Sequence, residues 1–315
     1  TNHTNGIAFD TTEGYSISAN LNIDISDTLT FTSISAYRHY FVDAALDTDA
    51  TPIGCQQGIG CTPNPFGYPV YFPTKTAPRY PQTAKYFSQE ARLNFKTDNV
   101  DLIVGGYFQG LRENGNNTVP SIRNGPFGSE GSNTSLNYSD TTTRFSTKDD
   151  FVSIFGDVTF KFSEQLSVFA GLRYNHEKLE LDFEKAVYSG VVGTLVNGVT
   201  TYNSFFNPVT LETTLIPIST VAFNTSRSVN NLSGRAGLQW QPTPDTNIYA
   251  SYNRGYKGGA VDVSRGAAAP TATYSPILEP EIATSYEAGI KQTLLDRALQ
   301  INFNIYSQKI NALQQ

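Results

Sequence analysis

Residues able to do chemistry are sparse among the 315 positions, and their spacings complete no catalytic set. Cys55 and Cys61 stand close together in a polar stretch. A C-x5-C pair alone has two ligands too few for structural zinc. The two thiols read as a disulfide formed in an oxidising compartment, or else as two free cysteines. His3, His39 and His176 are scattered. His39 with Ser33 or Ser35 would give the base and nucleophile of a lipid-facing hydrolase, but no third group orients the imidazole. Asp43, Asp47 and Asp49 lack the central glycine and distal glutamate of a calcium loop. Gly255–Gly259 lacks the spacing of a phosphate-binding loop. Neither catalysis nor a cofactor is expected, and a net charge of -6 argues against nucleic acid. What remains is charge at alternating positions: Glu90, Arg92, Lys96, Asp157, Lys161, Arg173, Arg235, Lys257, Glu287 and Lys291. Such residues do binding chemistry, as hydrogen-bond and ion-pair partners for a polar solute or for one another.

Those charges sit on the polar side of strands. Along Gly14–Asp24 the odd positions are Tyr15, Ile17, Ala19, Leu21 and Ile23, against Ser16, Ser18, Asn20 and Asn22. Tyr86–Lys96 sets Phe87, Ala91, Leu93 and Phe95 against Ser88, Glu90, Arg92, Asn94 and Lys96, with Gln89 breaking the apolar phase once. The same period of two recurs around Val104, Val158, Leu172, Leu238, Ala250, Ala288 and Ile301. Leu29–Tyr40 changes phase near Ser33–Ile34, which a bulge or a mixed face would explain. Ten strands result, joined by short links at 24–27, 97–99, 163–165, 242–245 and 295–297. The long links run over about 41–82, 113–149, 184–230 and 258–283 and alternate strictly with the short ones.

Short turns at one end and long loops at the other are the pattern of an up-and-down outer-membrane barrel. A strand of about ten residues tilted by about 45° spans roughly 23 Å, close to the apolar band of such barrels. Phe95, Phe162 and Trp240 near the short turns, and Tyr107, Phe108, Tyr174, Tyr252 and Tyr256 toward the long loops, are placed as two aromatic girdles. No run is apolar enough for a membrane helix. Sandwich strands average only about 5–6 residues, and a β-helix would show a fixed repeat that is absent here. Thr1–Asp10 has no basic, then apolar, leader pattern, so the chain reads as part of a longer protein.

Four stretches resemble the barrel of TonB-dependent receptors of the iron-complex type: Leu29–Arg38 with the acidic run after it, Ser88–Phe95 with Gly105–Phe108, Asn247–Gly259, and Leu278–Lys291. The resemblance implies a partial barrel over residues 1–315, with the plug domain and final strands of the family lying outside it. It also implies a place in the outer membrane of a Gram-negative bacterium, among outer-membrane lipid. The activity implied is active uptake of a siderophore–iron complex or other bulky nutrient, driven by TonB–ExbB–ExbD through the plug and TonB box. A passive porin or structural barrel is the alternative. Candidate ligand or lumen residues are Arg92, Arg173, Arg235, Lys257, Glu287 and Lys291 on strands, and Tyr68, Tyr71 and Phe72 in the first long loop. The charged ones could equally form wall–wall or wall–plug ion pairs, and the loop aromatics could pack the loop against itself.

Overall fold

The computed structural model describes residues 9–45, 79–124, 134–196, 199–202, 206–207, 212–213, 216–262, 270–271 and 274–314. They form β1 (Phe9–Ser26), β2 (Leu29–Ala45), β3 (Gln82–Lys96), β4 (Val100–Asn124), β5 (Thr134–Lys161), β6 (Leu166–Val196), β7 (Val199–Tyr202), β8 (Phe206–Asn207), β9 (Glu212–Thr213), β10 (Ile216–Thr243), β11 (Thr246–Lys257), β12 (Glu281–Leu294) and β13 (Leu299–Asn311). The ten long strands pair with their neighbours in chain order, β1 to β6 and then β10 to β13. Every pairing is antiparallel, as hairpin connections require. β7 adds to β6, and β8 pairs β9 apart from the main sheet. Fold class and strand count therefore match the sequence reading.

Register turns the alternation into two faces. Partners across an antiparallel ladder share a side of the sheet, so rows such as Ile23, Phe31, Leu93, Val104, Gly156, Leu172 and Gly234 run across seven strands on one face. Its large apolar side chains are bare: Leu21 is 52%, Val104 42%, Leu172 63% and Ile301 47% exposed. A row of exposed leucine and isoleucine is expected only of a surface whose solvent is not water. The opposite face is concave, because side chains on non-adjacent strands meet across it. The Arg173 guanidinium on β6 lies 5.3 Å from the Tyr107 ring centroid on β4. Phe151 on β5 and Tyr256 on β11 stack with centroids 6.5 Å apart, across β6 and β10.

Two aromatic rings of this inner face lie over positions whose partner on the next strand is glycine. The register pairs Gly105 with Phe155 and Gly237 with Phe169. A Cβ on Gly237 would stand 2.4 Å from Phe169 Cζ, so the ring occupies the space a side chain would take.

Two expectations change and one open alternative is resolved. Much of what reads as long links is strand: β4 runs to Asn124, β5 starts at Thr134, β6 reaches Val196 and β10 starts at Ile216. Beyond the apolar band nothing selects for alternation, so these polar extensions carry no period-two signal. The disturbance near Ser33–Ile34 is a mixed face and no bulge, since β2 pairs β3 in unbroken register from Leu29 to Val42. Ser33, Ser35 and Gln89 meet on the apolar face. Ser35 donates to Gln89 Oε1, and Gln89 Nε2 donates to Ser33 Oγ at 2.9 Å, which satisfies polar groups that lipid could not. Finally, Tyr107 and Tyr256 leave the outer girdle. Tyr107 has the inward parity, and β10–β11 pairing ends at Gly234–Arg254, which frees Tyr256 to turn inward.

Candidate functional site

The concave face holds a cleft of about 460 Å³ lined by Glu90, Tyr107, Gln109, Phe151, Arg173, Asn175, Ser233 and Tyr256. Strand parity puts these side chains there, apart from Tyr256, which arrives where its strand leaves the ladder. Tyr86, Tyr107 and Gln109 form a triangle: the two hydroxyls are 3.0 Å apart and donate to Gln109 Oε1 at 3.1 and 3.0 Å. Arg173 is the centre of the site. Its guanidinium lies 5.3, 5.7 and 5.4 Å from the ring centroids of Tyr107, Phe151 and Phe155. Each ring face attracts the cation and holds its plane. Arg173 Nε donates to Asn175 Oδ1 at 3.0 Å, and among the described residues its Nη groups meet no acceptor. Asn175 is in turn held through Nδ2, which donates to Ser233 Oγ at 3.3 Å. The result is a charged, planar double donor fixed by aromatic walls and open toward the cleft, the arrangement that receives a carboxylate or other oxyanion.

Above the cleft, toward the long connections, Glu177 is 4% exposed and anchors the exit of β11. Its carboxylate accepts from the Tyr256 hydroxyl and from the Gly259 N–H at 3.3 Å. Asp149 stands beside it, beyond the apolar band. Burial first, then the charges of Glu177 and Asp150, push the Asp149 carboxyl up to about 6, with Arg112 opposing. Higher still, Phe145, Leu181 and Phe183 form a small apolar core with Phe223 and Val261, and this core packs the extended hairpins together.

By parity the strand candidates Arg92, Arg173, Arg235, Glu287 and Lys291 share the concave face but not one site. Arg173 lines the cleft. Arg92 donates to Glu90 Oε1 at 3.0 Å. Arg235 is spent on Asp157, with Nε and Nη2 at 2.8 and 2.9 Å from the two carboxylate oxygens. Lys257 pairs with Glu281 at 3.2 Å. Glu287 accepts from the Tyr249 hydroxyl at 2.7 Å, and Lys291 lies 5.8 Å from the Tyr249 ring. Tyr68, Tyr71, Phe72, Cys55 and Cys61 lie outside the described residues. So do His3, Asp47 and Asp49, while Asp43 is held by Arg79, whose Nε lies 2.9 Å from Oδ1. That hydrogen bond, reinforced by the guanidinium charge, keeps the Asp43 carboxyl below its ordinary value. Among the described residues no cluster of histidine, cysteine and acidic side chains could hold a metal. His176 contacts Asn230 at 2.8 Å and stacks into no site. Sequence reasoning missed Tyr107, Phe151, Asn175, Glu177 and Tyr256 as interior residues. Parity alone could have found the first four.

Comparison with known proteins agrees with this architecture. The chain is similar to the ferric yersiniabactin uptake receptor FyuA from Yersinia pestis, at 15% identity and a TM-score of 0.56, over 97% of this chain and 36% of that one. It is also similar to the siderophore receptor PiuA from Acinetobacter baumannii, at 14% identity and a TM-score of 0.51, over 95% of this chain and 40% of that one. The chain thus spans well under half the length of either. At these identities the likeness is one of fold. The model of the TonB dependent receptor-like β-barrel family matches residues 1–315 throughout, and the chain belongs to that family.

Proposed function

We propose that this chain is the ligand-facing barrel wall of an outer-membrane receptor that takes up a siderophore–iron complex or another bulky anionic nutrient. The energy comes from TonB with ExbB and ExbD, acting through a plug that the rest of the protein supplies. The observation that carries the reading is the Arg173 guanidinium, clamped between three rings with its Nη donors open to an eight-residue cleft on the concave face. An arginine kept only as a wall strut would spend those donors, as Arg235 does on Asp157. The names of the two similar receptors, one for ferric yersiniabactin and one for a siderophore, agree in ligand class.

The test is uptake by cells that lack the gene and carry it back on a plasmid, grown under iron limitation or carbon limitation, with and without TonB. The expected result is TonB-dependent rescue under iron limitation, with Arg173→Ala weakening ligand binding by about tenfold or more while leaving the amount of folded receptor unchanged. Rescue that persists without TonB would make the barrel a passive porin. Full affinity in Arg173→Ala would remove the cleft from the ligand path.

A further inference from the structure

The connection between β11 and β12 folds inward above the cleft, where a buried acid holds it. Among the described residues its two limbs, 258–262 and 274–280, pair with each other. The Asp262 N–H donates to the Pro276 carbonyl at 2.9 Å, and the Leu278 N–H to the Ala260 carbonyl at 2.8 Å. Ile277 is buried, and Val261 packs against the core of Phe145, Leu181 and Phe183. Three holds tie the limbs down. Glu177 accepts from the Tyr256 hydroxyl and the Gly259 N–H. Arg227 on β10 pairs with Glu279. Gln314 Nε2 donates to the Gly258 and Glu279 carbonyls, each at 2.9 Å. Only the first hold reaches the cleft, because Tyr256 lines it.

That hold stands among carboxyls set against one another. The register pairs Glu113 with Thr147, Asp149 with Leu179 and Phe151 with Glu177. Glu113, Asp149 and Glu177 are thus successive diagonal neighbours on the concave side of β4, β5 and β6, about 7–8 Å apart. Asp149 Oδ1 is enclosed and, among the described residues, has no hydrogen-bond partner. The bases around them are spent: Arg112 on Asp150 at 2.6 Å, Arg227 on Glu279, and Lys257 on Glu281 at 3.2 Å. We propose that Asp149 is a pH-sensitive switch for this lid. Protonated, it leaves Glu177 to hold Tyr256 and Gly259 over the cleft; ionised, it repels the Glu177 carboxylate and loosens the hold. Its carboxyl, pushed up to about 6, makes the latched state the one that keeps the proton. The grip is therefore complete below about pH 4 and weakens as pH rises through 6. Burial raises Glu113 as well, with the Thr147 hydrogen bond opposing, so Glu113 is the competing titrating group. What the lid controls rests on the reading of the cleft proposed above; the latch itself does not.

Hydrogen exchange of the whole receptor in mild detergent, with no ligand added, tests the switch. The readout is the peptide over 254–262 between pH 4 and pH 8, corrected for the intrinsic pH dependence of exchange. Opening of that peptide in wild type is expected to rise about tenfold across the range. D149N should stay slow and flat, E113Q should keep the rise, and Y256F, lacking the latch hydroxyl, should already be fast at pH 4. A flat wild-type profile, a rise that survives in D149N, or full protection of Y256F at pH 4 would each overturn the switch. So would an equal rise over 284–290 in β12, which would make the change a general loosening. The wild-type profile needs no substitution, so it decides the matter if D149N fails to assemble. Because no ligand is present, a flat profile removes the latch and leaves the cleft reading untouched. Full ligand affinity in Arg173→Ala removes the cleft reading and leaves the latch to be scored here.

Discussion

Gly105 and Gly106 are adjacent in sequence and opposite in consequence. A Cβ on Gly105 would stand 2.7 Å from Phe155 Cζ, 2.8 Å from the Ala91 carbonyl oxygen and 2.9 Å from Arg92 Cβ. The ring could swing, but the Ala91 carbonyl belongs to the β3–β4 ladder and cannot. A Cβ on Gly106 would meet nothing nearer than the Ser153 carbonyl oxygen at 3.7 Å, on the convex side. Overpacking of this kind costs about 1–3 kcal/mol. Replacing an unstrained glycine in a strand by alanine recovers about 0.5–1 kcal/mol of chain entropy. That gain is common to both variants and cancels, so Gly105→Ala and Gly106→Ala should differ by the overpacking cost alone, about 1–3 kcal/mol, in favour of the second. Urea unfolding of the purified receptor in detergent, followed by tryptophan fluorescence and gel mobility, measures the gap. A second readout separates crowding from general damage: Phe155 is one of the three rings around Arg173, so Gly105→Ala should weaken ligand binding while Gly106→Ala leaves it intact. Equal stability of the two variants would refute the assignment of faces at this strand pair.

Two further outcomes follow from the residues above the apolar band. Asp149 has a folded value of about 6 against an ordinary 3.8, so the folded state holds the proton more tightly. Its stability contribution is fully present below about pH 4 and is lost as pH rises through 6. Asp149→Asn should thus slow hydrogen exchange around residues 145–150 relative to wild type at pH 8, with the difference shrinking toward pH 4. A constant difference across that range would rule out the titration. Leu181 is 0% exposed within the Phe145–Phe183 cluster, so Leu181→Ala should cost about 2–5 kcal/mol there. Because the cluster lies outside the membrane band, exchange in the β5–β6 extension should quicken while the receptor still assembles; loss of assembly would show the extension to be part of the barrel's folding core.

The membrane-crossing part of this protein was legible because lipid imposes a rule on every second residue. Leu21, Val104 and Leu172 must be apolar while their neighbours face a wet interior, and that rule writes itself into the sequence. The rule stops at the rim of the band. Beyond it Thr141, Thr142 and Thr143 continue β5 as regularly as Val158 does, but no solvent contrast distinguishes their two sides. The charged candidates were placed on the correct face by parity, yet parity cannot say which charge is spent. Arg173 and Arg235 look alike in sequence, and only the pairing of Asp157 beside Gly171, next to Arg235, separates them. The aromatic partners were hidden for a related reason. Tyr107 and Phe108 are successive aromatics at the same height, and girdle logic favours both although alternation permits only one.

Tyr256 shows where alternation fails outright, and the failure has a local cause. Its parity is that of Tyr252, which faces outward and packs with its ring centroid 5.2 Å from that of Tyr286. The ladder to β10 ends two residues earlier, at Arg254, whose Nε donates instead to the Leu232 carbonyl at 2.9 Å. Past that point β11 is held on one side only, by β12 through Lys257–Glu281. A strand freed from one neighbour can rotate, and what turns it inward is the buried Glu177 carboxylate, which needs donors that neither β5 nor β10 provides. The Tyr256 hydroxyl and the Gly259 amide supply them. Gly259 follows Gly258, where a Cβ would stand 2.4 Å from Glu177 Oε1, so the chain passes this carboxylate closer than a side chain would allow. The departure from period two is thus the point at which the connection between β11 and β12 enters the interior, and the residue it delivers there closes the top of the cleft around Arg173.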